Sequence, residues 1–342
     1  MAARFGNRRT ALRGGTVRRT FALPPHAVLP PRMSIQGVVM VNRLLVWAAG
    51  SREVQRQVTE NPIARRAAHR FVAGEQLEEA LAVAAELNSR GVGGILDLLG
   101  EGVRDLAGAT RAVEEYEEAI AALAARRLDA TISIKLSQLG QTVGRDACRA
   151  NLSHILDTAQ SAGVRVEVDM EESGLISETL KLFREVATRH PQTRVAIQAA
   201  LRRTPLDLEA LAALKPRVRL VKGAYAEPVE VAQQGRAEIK AQYRFLTDWL
   251  FQHGTDPAFG THDGELIAYA REAAARVGKG REDFEIQLLY GIRRDLLKEL
   301  TDSGHRVRVY IPYGSSWYPY LTRRMAERPA NLLFFLRALV GR

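Results

Sequence analysis

T-I-S-I-K-L at 131–136, R-V-E-V-D-M at 165–170, R-V-A-I-Q at 194–198 and R-V-R-L-V-K at 217–222 are four short runs rich in β-branched residues. Their reading decides the fold. Each is short for a helix and has the composition of a strand. Between them lie amphipathic stretches at 145–162, 176–190 and 205–214 that read as helices. Alternating strand and helix implies parallel pairing, with the helices outside the sheet. The same unit recurs on both sides. Strands are expected at 94–98 upstream and at 257–261, 284–288 and 307–311 downstream, with helices at 109–127, 228–252, 264–277, 292–302 and 317–327. Eight such units close a barrel, whereas an open doubly wound sheet has fewer strands. The expected fold class is therefore α/β, a (β/α)8 barrel. Helices at 40–70 and 76–89 precede it, and one at 330–340 follows it.

This gives a division into three parts: 1–33, a basic and disordered extension; 34–93, an N-terminal helical segment packed on the barrel; and 94–342, the barrel with its catalytic residues. Of 342 residues, 46% are hydrophobic and 26% charged, as in a soluble globular protein. The most apolar run, 38–49, is interrupted by Asn42 and Arg43 and is too short to span a bilayer. The net charge of +10 invites a nucleic-acid reading. However, residues 1–32 hold seven arginines and no Asp, Glu or Lys, and removing those seven charges leaves +3 for the body. A basic tail says little about a folded core. It reads as an organellar presequence (against which its lack of serine speaks), as a basic arm for nucleic acid or anionic lipid, or as a disordered extension or an upstream start preceding the real one at Met33. The last is preferred, and no nucleic acid is expected as a partner. The single cysteine, Cys148, excludes an internal disulfide and fits a reducing, cytoplasmic location.

Barrel enzymes build their sites at the C-terminal ends of the strands. Lys135, Asp169, Met170, Glu171, Gln198, Arg219, Lys222, Thr261, His262, Asp263 and Tyr310 stand there. The set is rich in cations and amides. His262 with Asp169 or Glu171 lacks metal-ligand spacing, so no metal site is expected. The glycines at 91–94 precede a strand instead of following one, which disfavours a dinucleotide turn and an NAD-type dehydrogenase. Two of these residues have bland readings as well. Lys222 would point outward from its strand, and Glu171 would cap the following helix.

The motifs K-L-S-Q-L-G (135–140), D-M-E (169–171), R-L-V-K-G-A-Y (219–225), T-H-D (261–263), L-L-Y-G-I-R (288–293) and Y-I-P-Y-G-S-S-W-Y-P-Y-L-T-R-R-M-A-E-R-P-A-N (310–331) resemble the proline dehydrogenase family, in the correct order over about 94–340. The chain looks like the short, monofunctional bacterial type. The resemblance implies a distorted barrel holding noncovalent FAD, oxidation of L-proline to Δ1-pyrroline-5-carboxylate as the first step of proline catabolism, and electrons passed to a membrane quinone. Met170, Gln198, Arg219 and Val221 would line the flavin. Lys222, Gly223, Ala224, Tyr225, Thr261 and His262 would hold the rest of the cofactor.

By the same resemblance, Lys135, Arg323 and Arg324 bind the substrate carboxylate, Glu327 steadies an arginine, and Tyr310 and Tyr320 wall the ring. Arg219, Asp169 and Lys135 form the catalytic set. Asp169 is expected to orient Lys135 or assist loss of the amine proton, not to be a committed general base. A quinone acceptor implies peripheral contact with the membrane, for which 39–49 or 331–340 are the candidate segments. Ala199-Ala200-Leu201 departs from the family, which has an aromatic at the third place, and 278–282 is an unusual basic, glycine-rich linker. The competing readings are oxidation of hydroxyproline or another secondary amine on the same fold, against which Tyr310 speaks, and a basic nucleic-acid-binding barrel.

Overall fold

Eight parallel strands pair in sequence order and the last closes onto the first in this computed structural model. They are β1 (Gly93–Leu98), β2 (Ala130–Ile134), β3 (Val166–Val168), β4 (Arg194–Gln198), β5 (Arg217–Val221), β6 (Ala258–Gly260), β7 (Glu285–Leu289) and β8 (Arg306–Tyr313). The structure describes residues 68–100 and 102–327, with Arg56, 58–61, Arg65 and Arg66, all within the unit Asn42–Arg342. The expectations for 1–33, for most of 40–70 and for 330–340 lie outside the described residues.

The helices are α1 (Leu77–Asn88), α2 (Leu106–Arg126), α3 (Arg145–Ser161), α4 (Ser173–Ala187), α5 (Thr204–Glu209), α6 (Arg236–His253), α7 (Gly264–Arg276), α8 (Arg294–Asp302) and α9 (Trp317–Glu327). Their starts follow local chemistry. Asp105 accepts from Gly108 N at the head of α2, and Asp263 accepts from Glu265 N at the head of α7. Two expectations need correction. The helix read over 228–252 begins only at Arg236, because Gly235 stands extended before it, and the preceding residues turn at Pro228 and bridge Ala232 to Leu201. The helix read over 205–214 divides into α5 and a 3-10 turn at Ala212–Leu214.

Strand side chains alternate between the two faces of the barrel wall. The outward positions are apolar, among them Ile132, Ile134, Val166, Val168, Val195, Ile197, Val218 and Leu220, all buried under the helices. The inward positions are largely polar. Gln287 of β7 bonds Glu167 of β3, and Arg194 of β4 bonds Glu285 of β7. These strands are three or more places apart in the barrel, so the pairs meet across the lumen. An ordinary barrel of this type is filled by branched apolar side chains. This one is filled by hydrogen-bonded charge.

α1 packs on β1 and β8, covering the closing seam. α9, which follows β8, does not take that place. Its Trp317, Tyr318, Tyr320 and Leu321 form a separate buried cluster with Ala68, Phe71, Val72 and Leu99. Leu99 N bonds Tyr313 O at 2.7 Å, and Gly314 N bonds Gly74 O at 3.0 Å. These bonds bring α9 and the segment before α1 together at the C-terminal end of the strands.

Candidate active site

The last turn of backbone after β3 places Asp169 at the C-terminal mouth of the barrel, where its N–H donates to Ile134 O at 2.9 Å. Groups from three other strands converge on this carboxylate. Arg219 of β5 donates through Nη2 to Oδ1. Tyr310 of β8 donates its hydroxyl to Oδ2 at 2.6 Å, and Lys135, just past β2, has Nζ 3.4 Å from the same oxygen. The Arg219 guanidinium also lies over the Tyr310 ring at 5.2 Å and reaches Ser133 Oγ at 3.3 Å. Lys135, Asp169, Arg219 and Tyr310 are thus brought together as one cluster.

The charges in this cluster perturb one another strongly. Burial pushes the Asp169 carboxyl upward, but Arg219 and then Lys135, with hydrogen bonds from Tyr310 and Ser133, overcome it and hold Asp169 below the usual carboxylate range. Burial pulls the Lys135 ammonium down, and Asp97, Tyr310 and Asp169 together hold it well above its ordinary value. Arg219 is raised in the same way, its carboxylate neighbours Asp169 and Glu167 outweighing burial. The Tyr310 phenol is pushed well up by burial and by Asp169. Three permanent charges and a neutral phenol result.

Asp97 was not legible as a site residue, yet it is almost wholly buried at the end of β1 and accepts from Lys135 Nζ. Burial raises its carboxyl, with Lys135 opposing and Asp169 reinforcing the rise. A carboxylate inside the apolar run G-G-I-L-D-L was the available signal. Glu171 differs from its expected role as a helix cap. It accepts from Ser137 N at 3.1 Å and from Ser137 Oγ at 2.6 Å, so it clamps the loop that carries Lys135. The head of α4 is held instead by Glu227, which accepts from Ser173 N at 2.7 Å.

On the β4 to β6 side, Gln198 is buried and donates to Glu171 O at 2.8 Å. Met170 is buried in the main core. Val221 O accepts from Ala199 N at 2.7 Å, and Lys222 O from Ala200 N at 2.8 Å, which carries the β4–β5 pairing past the strand ends. Lys222 does point outward from the lumen, pairing with Asp263 at 3.1 Å. Gly223 has φ +110, and a Cβ there would come 3.0 Å from Gln198 Oε1, so glycine is required for the chain to turn so close to that amide. Ala224 and Tyr225 are exposed on the same loop. Thr261 Oγ1 accepts from Asp263 N, and His262 Nε2 accepts from Leu289 N at 3.0 Å.

On α9, Tyr320 is buried and Arg324 lies over its ring at 5.3 Å. The spacing of Trp317, Tyr320, Leu321 and Arg324 puts them on one helical face. Arg323 and Glu327 belong to the same helix, and their side chains lie outside the described residues. Leu201, at the family's aromatic position, is buried beside the Ala232 bridge.

This geometry agrees with what comparison with known proteins shows. The family model described as proline dehydrogenase matches residues 80–337. The chain belongs to the proline dehydrogenase family. It is 36% identical over 276 residues to proline dehydrogenase 1 of Bacillus subtilis (strain 168), covering 81% of this chain and 91% of that one. To the proline dehydrogenase of Deinococcus radiodurans it is 38% identical over 283 residues, covering 80% and 90%. Among solved structures, proline utilization A of Bdellovibrio bacteriovorus superposes with a TM-score of 0.73 at 22% identity. That match covers 83% of this chain and spans 38% of the larger protein, and it bears on the fold alone. The expected family and barrel are therefore both borne out, and membership makes the chain an oxidoreductase.

Proposed function

We propose that the chain oxidises L-proline to Δ1-pyrroline-5-carboxylate with FAD as cofactor and delivers the electrons to a membrane quinone. The observation that carries this reading is the Arg219 guanidinium. It is buried in the barrel lumen just below the mouth, permanently charged, and held between Asp169 at Nη2 and Glu167 at Nη1. A fixed, permanently charged cation suits the electron-rich edge of a reduced flavin. The turn at Gly223, with φ +110 and no side chain between its backbone and Gln198, leaves room for a planar group to approach the backbone there. Met170, Gln198, Arg219 and Val221 would line that group, and Lys222, Gly223, Ala224, Tyr225, Thr261 and His262 would hold the remainder. A flavin held there would supply the acceptor for hydride from C5 of proline.

The protein's own groups divide the remaining work. Lys135, Arg323 and Arg324 would take the substrate carboxylate, the planar arginines fixing its orientation. Lys135 carries three donors, of which Asp97 and Asp169 engage two. Tyr310 and Tyr320 would wall the ring, with Glu327 steadying an arginine. The substrate amine must lose a proton before C5 gives up hydride. Both oxygens of Asp169 are already engaged, Oδ1 by Arg219 and Oδ2 by Tyr310 and Lys135, and these partners hold its carboxyl below the usual range, so it orients Lys135, Arg219 and Tyr310 while that proton goes to solvent. Among the described residues no helix is long and apolar enough to cross a membrane, and the contact with quinone is read as peripheral.

The test is an absorption spectrum of the purified, FAD-reconstituted protein before and after anaerobic L-proline. Flavin bands that bleach with L-proline and persist with D-proline or hydroxyproline are expected. Bands that bleach only with hydroxyproline would move the substrate to that amine. A colourless protein would overturn the flavin reading.

A further inference from the structure

The cluster at the barrel mouth does not end with Asp169. Glu167 lies two residues earlier on β3, so both side chains enter the lumen, roughly 7 Å apart along the strand. Arg219, arriving from β5, sits between them: Nη2 bonds Asp169, and Nη1 lies 3.3 Å from Glu167 Oε2. Beyond Glu167 the alternation of charge continues toward the other end of the barrel. Arg194 Nη1 stands 3.0 Å from Glu167 Oε1 and 3.0 Å from Glu285 Oε1. Glu285 Oε2 is 3.2 Å from Arg308 Nε, and Arg308 Nη2 is 2.9 Å from Asp129 Oδ1.

Glu167 could in principle serve Arg194 alone. The geometry argues otherwise. Arg194 already faces two other carboxylates, Glu285 and Asp256, at 3.0 Å each. Glu167 Oε1 takes Arg194 and the Thr131 hydroxyl, while Oε2 is turned to Arg219. Gln287 Nε2 reaches both oxygens at 3.2 and 3.3 Å and so locks the carboxylate plane. Asp169 is shared among Arg219, Lys135 and Tyr310, so it neutralises Arg219 only in part.

We propose that Glu167 is a positioning residue for Arg219: it grips the guanidinium from the lumen side, opposite Asp169, and sets how much of the Arg219 charge acts on a flavin at the barrel mouth. This rests on the flavin reading above. Glu167 touches neither substrate nor cofactor. It acts by placing Arg219 and by cancelling part of its field at short range in a site shielded from water.

The test compares wild type with Glu167→Gln and Glu167→Asp, each loaded with FAD, by equilibrium redox titration of the bound flavin against a reference dye. Removing the negative charge leaves Arg219 more effective toward reduced flavin, so the midpoint potential of Glu167→Gln shifts positive. A tenfold gain in binding of the reduced over the oxidised form appears as about 30 mV for a two-electron couple. Glu167→Asp withdraws the carboxylate by one methylene and shifts the potential in the same direction by less. In both, kcat falls more than KM changes, because Arg219 is misplaced relative to the reacting centre and not to the carboxylate-binding arginines of α9.

Glu285→Gln is the control. It weakens the same buried network one step further from Arg219 and leaves the potential at the wild-type value. A flavin-loaded Glu167→Gln with wild-type potential overturns the proposal. If that variant does not fold, an unshifted Glu167→Asp overturns it instead, as does an equal shift in Glu285→Gln. A wild-type protein that takes no flavin overturns the flavin reading and this proposal with it, and is recognised by its spectrum before any variant is titrated.

Discussion

The Tyr310 hydroxyl donates to Asp169 Oδ2 at 2.6 Å while the ring of the same tyrosine lies beneath the Arg219 guanidinium at 5.2 Å. One side chain therefore braces both members of the buried ion pair, its oxygen on the anion and its π-face on the cation. It also leaves Tyr310 little freedom to move.

Tyr310→Phe separates the two contacts. It keeps the ring beneath Arg219 and deletes the donor to Asp169. A hydrogen bond to a charged group contributes roughly 1.5–3 kcal/mol. Steady-state kinetics with L-proline should show kcat/KM lower by about one to two orders of magnitude at that cost. Wild-type kcat/KM in this variant would mean that Asp169 is held well enough by Arg219 and Lys135 alone.

The pairing of Asp97 with Lys135 makes a prediction about pH. In the wild type the ammonium is held well above its usual value, so Lys135 imposes no alkaline loss of activity below about pH 10. Asp97→Asn removes the carboxylate that contributes most to this rise. With that negative neighbour gone, burial acts less opposed and the Lys135 pKa falls. The profile of kcat/KM against pH should gain an alkaline limb, or have its existing limb displaced downward. Superimposable profiles would exclude Lys135 from the groups that govern substrate capture.

Much of this architecture was written openly in the chain. Strand β4 is recovered to the residue, because its V-A-I run flanked by turn signals leaves few alternatives. The members of the cluster were also named from the sequence: Lys135 and Asp169 stand just past the ends of β2 and β3, and Arg219 and Tyr310 are polar residues within the runs of β5 and β8. What the sequence hid was the lumen. The alternation V-E-V-D in β3 places Glu167 and Asp169 on one face, but alternation alone does not say whether that face meets solvent, helices or the barrel interior. Asp97 was hidden for a related reason: its partner Lys135 is 38 residues away in sequence, and only the β1–β2 pairing, which sets Asp97 opposite Ser133, joins them. The place of α9 was equally unreadable, because its apolar face fits a barrel wall as well as the end cluster with Phe71 and Leu99.

The two arginines of α9 should separate binding from turnover. A guanidinium presents a planar fork to a carboxylate that an ammonium does not reproduce. Arg324→Lys also gives up the stacking on Tyr320. For Arg323→Lys and Arg324→Lys the KM for L-proline is expected to rise tenfold or more, the equivalent of about 1.4 kcal/mol or more, with kcat changed less. A fall in kcat at constant KM would place these residues in the chemical step instead of in carboxylate capture.

Glu285 links the polar interior to acid stability. Burial acts to raise its carboxyl, but Arg194 and Arg308, aided by Gln287, bring it down to about 2 from an ordinary 4.5. A carboxyl depressed in the folded state contributes stability that is fully present above its unfolded pKa and is lost as pH falls toward the folded one. The window therefore runs from about pH 4.5 down to about 2, and the contribution at neutral pH is of the order of 3 kcal/mol. Glu285→Gln cannot ionise, so its urea midpoint should lie well below the wild type at pH 7 and approach it as the pH drops below 4.5. Truncating one partner of a buried pair also strands the others, here Arg194 and Arg308, and this deepens the deficit at neutral pH. A deficit that stays constant over the whole range would instead assign the effect to packing, because the charge on Glu285 is what acid removes.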